Sequence, residues 1–217
     1  MIVAQNIHKS FGNVKVLKGV NLHVEAGKVV AIVGSSGAGK TTLLQLLGTL
    51  SRFDKGSIHI NGTDIASLKD KQLSRFRNRN IGFIFQSHHL FPEFTALENV
   101  MIPLLIQQVN KSTAKEKALD ILKYLHLSHR VEHKPFQLSG GEQQRVAIAR
   151  ALITNPSIIL ADEPTGNLDS RNTKEVFELI KDLQKEFNQT IVIVTHNIEL
   201  AHSTDVVFTM KDGVILE

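Results

Sequence analysis

The chain has 217 residues, 42% hydrophobic and 21% charged, and its 25 basic side chains against 21 acidic ones leave a net charge of +4. That is enough apolar material for one sizeable core and too little charge asymmetry to point to nucleic acid; a mildly basic surface beside anionic lipid fits equally well. The absence of cysteine excludes disulfides and thiolate metal sites, no stretch is apolar for long enough to span a bilayer, and the start lacks a signal-peptide pattern, so a cytoplasmic protein is expected.

Val20, Leu22 and Val24 alternate with polar or small residues and predict a half-buried strand. Residues 28–33, apolar throughout after Lys28, read as a strand running into a glycine-rich turn, after which Leu43, Leu44, Leu46 and Leu47 recur at helical spacing. Residues 57–60, followed by Asn61-Gly62, read as a strand ending in a tight turn. Arg75, Arg77 and Arg79 read as a short cluster on one helix face, and 81–85 as a buried strand. From about residue 87 to 152 the character changes. Residues 97–106 have helical spacing that Pro103 should kink or divide, and Ser112 reads as the cap of a helix carrying Ala118, Ile121, Leu122 and Leu125. A strand (157–161), a helix (170–187) and a strand (190–194) then follow. Strands alternating with helices predict an α/β fold with a mostly parallel sheet. One domain, 1–217, is expected, with residues 1–86 and 153–217 as an α/β core carrying antiparallel β strands and 87–152 as an inserted α-helical subdomain.

Gly34-Ser35-Ser36-Gly37-Ala38-Gly39-Lys40-Thr41 lies between a predicted strand and a predicted helix. Glycines let the backbone turn several N–H groups toward one anion, and the helix N-terminus adds its dipole. Lys40 can reach the outer phosphates of a nucleotide and the Thr41 hydroxyl can ligate Mg²⁺. A second motif is the apolar run 158–161 ending in Asp162 and Glu163. At a strand's C-terminal edge Asp162 can hold Mg²⁺ through water, and Glu163 can orient and deprotonate an attacking water. Leu138-Ser139-Gly140-Gly141-Glu142 has two readings. Ser139 and Glu142 make a capping box, yet two glycines straight after a cap cost helix stability and expose N–H groups to an anion. Two phosphate-binding loops and one Asp-Glu strand end suggest a site shared between two copies. His126, His129 and His133 lack a ligand pattern and read as solvated.

The order of these motifs, with Gln86, Asn167-Leu168-Asp169 and His196 among them, resembles the ABC ATPases over essentially the whole chain. The resemblance implies a P-loop NTPase core of RecA-like type and a head-to-tail homodimer holding two ATP molecules with Mg²⁺. It implies that Gly34 through Thr42 (with Ser35, Ser36, Gly37, Ala38, Gly39, Lys40 and Thr41) bind one ATP, and that Ser139, Gly140, Gly141 and Glu142 reach it from the other copy. Asp169 would couple the two sites, His196 would contact the γ-phosphate, and Gln86 would sense Mg²⁺ and the attacking water. Phe11 falls where such proteins stack an aromatic ring on adenine, while a place in a small core is the other reading. His196 also reads as a helix cap after its strand.

Within the family, residues 86–100 and 164–169 are most similar to the ATPases of bacterial lipoprotein-releasing systems, with macrolide-exporter and cell-division ATPases as near alternatives. An ATP-hydrolysing subunit at the cytoplasmic face of the inner membrane is therefore expected. Its separate transmembrane permease subunits would dock near Leu90, Phe91, Phe94 and Leu97.

Overall fold

Alternation of burial organises the N-terminal strands. Ile2–Phe11 (β1) pairs antiparallel with Val14–Val24 (β2), whose Val20, Leu22 and Val24 turn inward while Asn21 and His23 face out. Val29–Val33 (β3) breaks this pattern: its first four residues are all buried, as a strand covered on both faces must be. It enters a different sheet. After Lys40–Leu47 (α1), Lys55–Ile60 (β4) and Thr63–Asp64 (β5) complete a four-stranded antiparallel sheet in the order β2-β1-β4-β5. The computed structural model describes residues 2–216, apart from the side chains of residues 170 and 171.

Asp70–Asn80 (α2) leads into Ile81–Phe85 (β6), after which Ala96–Ile106 (α3), Lys111–Tyr124 (α4) and Gly140–Leu152 (α5) pack on one another. The chain returns through Ile158–Asp162 (β7), Ser170–Phe187 (α6), Thr190–Val194 (β8), Ile198–Ala201 (α7), Val206–Lys211 (β9) and Val214–Leu216 (β10). The second sheet has the order β10-β9-β3-β8-β7-β6 and is parallel except for β10. Alternate residues of its strands feed two cores. Leu160, Val192 and Val194 meet α1 and the antiparallel sheet, while Ile159, Ala161, Ile191 and Ile193 meet α6 and the helices α3–α5. The C-terminal ends of β3, β8 and β7 lie side by side, where open α/β sheets bind ligands.

Several local expectations need correcting. Ser112 does not cap α4: Asn110 does, accepting from the Ser112 N–H at 2.9 Å and from its hydroxyl at 2.7 Å. Both residue types cap well, and the cap falls two residues earlier than expected. Pro103 does not divide α3, which continues through it for three more residues to Ile106, so the interruption falls near the helix's C-terminal end. Arg77 does not share a face with Arg75 and Arg79: two residues along a helix is more than half a turn, and its guanidinium donates to the Thr49 carbonyl at 2.8 Å.

Candidate nucleotide site

The phosphate loop connects β3 to α1, and its glycines are required by the chain itself. Gly34, Gly37 and Gly39 have φ of 157°, 79° and 102°, and a Cβ on Gly34 would lie 2.1 Å from the Met210 carbonyl oxygen. With Gly39 as its N-cap, α1 begins without a side-chain hydrogen bond or an acidic first turn. By contrast, Thr95, Asn110, Ser139 and Asp169 cap α3, α4, α5 and α6 with their side chains. The first amides of α1 are therefore without a side-chain cap, an arrangement that suits an anion. Lys40 is only 9% exposed, and its ammonium donates to the carbonyls of Gly34 (2.8 Å) and Ser35 (3.0 Å).

Thr41 donates its hydroxyl to Asp162 Oδ1 at 3.2 Å, joining α1 to the end of β7. Burial pushes the Asp162 carboxyl above its ordinary pKa, and Glu163 adds to this, against the Thr41 hydroxyl and Lys40. A half-buried carboxylate short of positive charge, beside a hydroxyl, is a hard-oxygen donor set suited to Mg²⁺. Glu163 takes φ 47°, held by its N–H donating to the Val194 carbonyl at 2.9 Å. Its carboxylate accepts from His196 Nδ1 at 2.9 Å and from the His196 N–H at 3.3 Å. The capping role after β8 belongs to Asn197, whose side chain accepts from the Leu200 N–H.

Val16, Ser36, Gly37, Gly39, Lys40, Thr41, Thr42, Glu163 and His196 line one cleft of about 490 Å³. That is within the range of small-ligand sites. Val16 of β2 carries no motif, and only the fold brings it here. Phe11 stands outside this lining, 52% exposed, with Lys9 Nζ 5.3 Å from its ring centroid. Gln86 is also outside it: its side-chain amide donates to Asn167 Oδ1 at 3.1 Å, and Asn167 Nδ2 donates to the Gln86 main-chain carbonyl at 3.0 Å.

The second loop belongs to a different part of the surface. Ser139 and Glu142 form the capping box, and Glu142 also accepts from Arg130 Nε at 2.8 Å. Burial alone would raise the Glu142 pKa, but the Ser139 N–H and the Arg130 guanidinium outweigh it and hold the carboxyl below its ordinary value. Asp169 caps α6, accepting from the Asn172 N–H at 2.9 Å and from its amide at 2.7 Å. A Cβ on Gly141 would meet the Asn172 Oδ1 at 2.9 Å, whereas one on Gly140 would meet only Leu168, at 3.6 Å. Neither glycine is among those with positive φ.

A groove of about 570 Å³ lies between α2, β6 and α3, with Phe83, Phe85, His89, Phe91, Ile102 and Ile106 among its walls. Among the described residues no Asp or Glu lines it, while Arg77 and Arg150 do. The expectation for 90–97 divides here. Leu97 is buried core and Leu90 packs against that core, leaving Phe91 and Phe94 at 51% and 42% exposed. Asn99, fully buried, fixes the backbone between them. Its Oδ1 accepts from the Phe91 N–H at 2.8 Å, and its Nδ2 lies 3.0–3.1 Å from the carbonyls of Phe91, Phe94 and Thr95.

A family model described as ABC transporter matches residues 17–166. The protein named "Lipoprotein-releasing system ATP-binding protein LolD" in Bacteroides fragilis (strain YCH46) is 56% identical over 216 residues, covering 100% of both chains. The protein of the same name in Bdellovibrio bacteriovorus (strain ATCC 15356 / DSM 50701 / NCIMB 9529 / HD100) is 50% identical over 97% of both. Among solved structures, a dimeric bacterial ABC transporter cassette superposes with a TM-score of 0.92 at 41% identity, covering 100% of this chain and 97% of that one. A dimeric ATP-binding cassette in a post-hydrolysis state, bound to ADP and Pi, gives a TM-score of 0.91 at 40% identity with the same coverage. Identity on this scale along the whole chain makes it a member of the ABC transporter ATPases.

Proposed function

We propose that this chain is the ATP-hydrolysing subunit of a complex that releases lipoproteins from the bacterial inner membrane, acting at its cytoplasmic face on separate permease subunits. The observation that carries the ATPase part is the separation of two phosphate-binding loops: one lines the cleft with Lys40, Glu163 and His196, while the Ser139 loop does not. The names of the full-length relatives favour lipoprotein release over a macrolide exporter or a cell-division module.

In the proposed cycle, the amides of Ser35 through Thr42 and the Lys40 ammonium bind the β- and γ-phosphates of ATP, with Phe11 against the adenine. Thr41, Asp162 (through water) and Gln86 would hold Mg²⁺, which supplies charge neutralisation at the phosphates. Glu163 takes the proton of the attacking water, and His196 both holds that carboxylate and contacts the γ-phosphate. Ser139, Gly140, Gly141 and Glu142 of a second copy close the site, with Asp169 linking the two sites of the dimer. Residues 87–152 act as the lobe that supplies one wall of the docking groove, with α2 and β6 as the other, and a short permease helix lays its apolar face there against Phe91 and its neighbours.

The reading is tested in proteoliposomes containing this chain, its co-purifying membrane subunits and a labelled lipoprotein. ATP should drive the lipoprotein into an added soluble acceptor. Hydrolysis without release would point to the regulatory or solute-exporting alternative. Phe91→Asp should keep wild-type ATP affinity and melting temperature yet fail to co-purify with the membrane subunits; normal assembly would remove the groove from the docking role.

A further inference from the structure

Between β6 and α3, His88 and His89 both adopt positive φ, 59° and 48°, a conformation that side chains with a Cβ disfavour and that surrounding contacts must hold. Arg150 of α5 supplies one set of contacts, donating to the His89 carbonyl at 2.6 Å and the His88 carbonyl at 2.7 Å. The second runs through the His88 ring, which is 8% exposed with Nδ1 2.5 Å from Gln144 Oε1. Gln144 is fully buried and donates Nε2–H to the Pro164 carbonyl at 2.6 Å. A carbonyl can only accept, so the amide's nitrogen is fixed on Pro164 and its oxygen on His88. The imidazole must then carry its proton on Nδ1.

The two ends of this chain of bonds are functional surfaces. His89 and Arg150 line the groove between α2, β6 and α3. Pro164 follows Glu163, the residue whose left-handed backbone sets its carboxylate on His196. Gln144 thus spans, with one side chain, two turns that are 56 and 20 residues away from it in sequence.

We propose that Gln144 is a positioning residue that locks the His88–His89 turn to the turn aiming Glu163, so that pressure on the groove changes the rate of hydrolysis and not the binding of ATP. The part of this that concerns a membrane subunit rests on the groove being its docking face. The linkage itself does not, since it is contained in one chain. A buried amide with both ends committed transmits displacement in either direction, because neither bond has water as an alternative partner.

The test measures kcat and KM for ATP with Mg²⁺ on the isolated full-length chain. Gln144→Met keeps the side chain's length and removes both hydrogen bonds; kcat should fall about 10- to 100-fold, the scale of a misplaced catalytic group, with KM unchanged. His88→Leu should do the same. The double variant should be no slower than the slower single, because both cut one network. His88→Asn should restore the rate, since its amide presents a donor near the position of Nδ1 and Asn tolerates positive φ. Wild-type kcat in folded Gln144→Met, a loss appearing in KM instead, or additive losses in the double variant would overturn the proposal. If Gln144→Met does not fold, the His88 pair decides alone: a slow Leu with a fast Asn supports the linkage, and equal rates overturn it. Failure of the docking reading would appear separately, as normal assembly of Phe91→Asp with the membrane subunits.

Discussion

The two glycine-rich loops use glycine for opposite reasons. In the first, Gly34, Gly37 and Gly39 take positive φ, and the Met210 carbonyl leaves no room for a Cβ on Gly34. The chain's own backbone demands them. In the second, Gly140 takes ordinary helical geometry, and its missing Cβ opens onto space that no other part of the described chain fills more closely than Leu168 at 3.6 Å. The fold does not need glycine at Gly140; the proposed approach of a nucleotide held by a second copy does. One loop's glycines answer to its own chain, and in the proposed dimer the other loop is half of a site.

The sharpest way to break this contrast is to remove the proposed base, Glu163, which lines the first loop's cleft. Glu163→Gln should lower kcat by about 10²–10⁴-fold while ATP still binds, because the amide keeps the shape and cannot take a proton. The variant should also elute as an ATP-dependent dimer; a monomer with ATP and Mg²⁺ at high protein concentration would speak against the shared site. Lys40→Ala should cost about 2–5 kcal/mol of ATP binding, roughly thirtyfold or more in Kd, since it unpairs phosphate charge in a partly buried cleft. Its melting temperature should stay close to wild type, and unchanged Kd would remove the phosphate-loop assignment.

The second loop is tested by addition rather than removal. Gly140→Arg should melt at or above the wild-type temperature, because Arg is the better helix former and meets open space. Its ATPase should nevertheless be lost. Mixed one to one with Lys40→Ala, activity should return to about a quarter of wild type, the share expected when half the dimers carry one intact composite site. No recovery at any ratio would mean that each chain uses its own Ser139 loop.

The smallest effect concerns Glu142, whose pKa is held down in the folded state by the Ser139 N–H and Arg130. A depressed carboxylate stabilises the fold above its ordinary pKa, and that contribution is lost as pH falls through the folded-state value. Wild type should therefore melt slightly higher than Glu142→Gln at neutral pH, and the gap should close in acid. A gap independent of pH would show that the cap acts through shape alone.

The sequence made the phosphate loop and the Asp162-Glu163 strand end legible because each is a contiguous run whose chemistry follows from its spacing. The fold class was legible for a similar reason: β3, β7 and β8 are apolar at nearly every position, while β2 alternates. The last hairpin was not read, although Asp212-Gly213, with φ of 49° and 86°, is the turn signal between β9 and β10. Val16 entered the cleft, and Leu97 left the candidate docking surface, through tertiary packing that no local pattern encodes. The His88–Gln144–Pro164 chain lay further out of reach, since its members are ordinary residue types joined only when β6, α5 and β7 come together.

The amide of Asn99 has a consequence for how such a molecule can diversify. It anchors residues 91–95 by their main chain alone, so the loop's path is written by one buried side chain and not by the rings displayed on it. Phe91 and Phe94 are thereby free to be exchanged without rewriting the scaffold beneath them. If the proposed docking face is right, a lineage, or a designer, can retune which membrane subunit this engine drives by editing two outward-facing letters while the motor stays untouched.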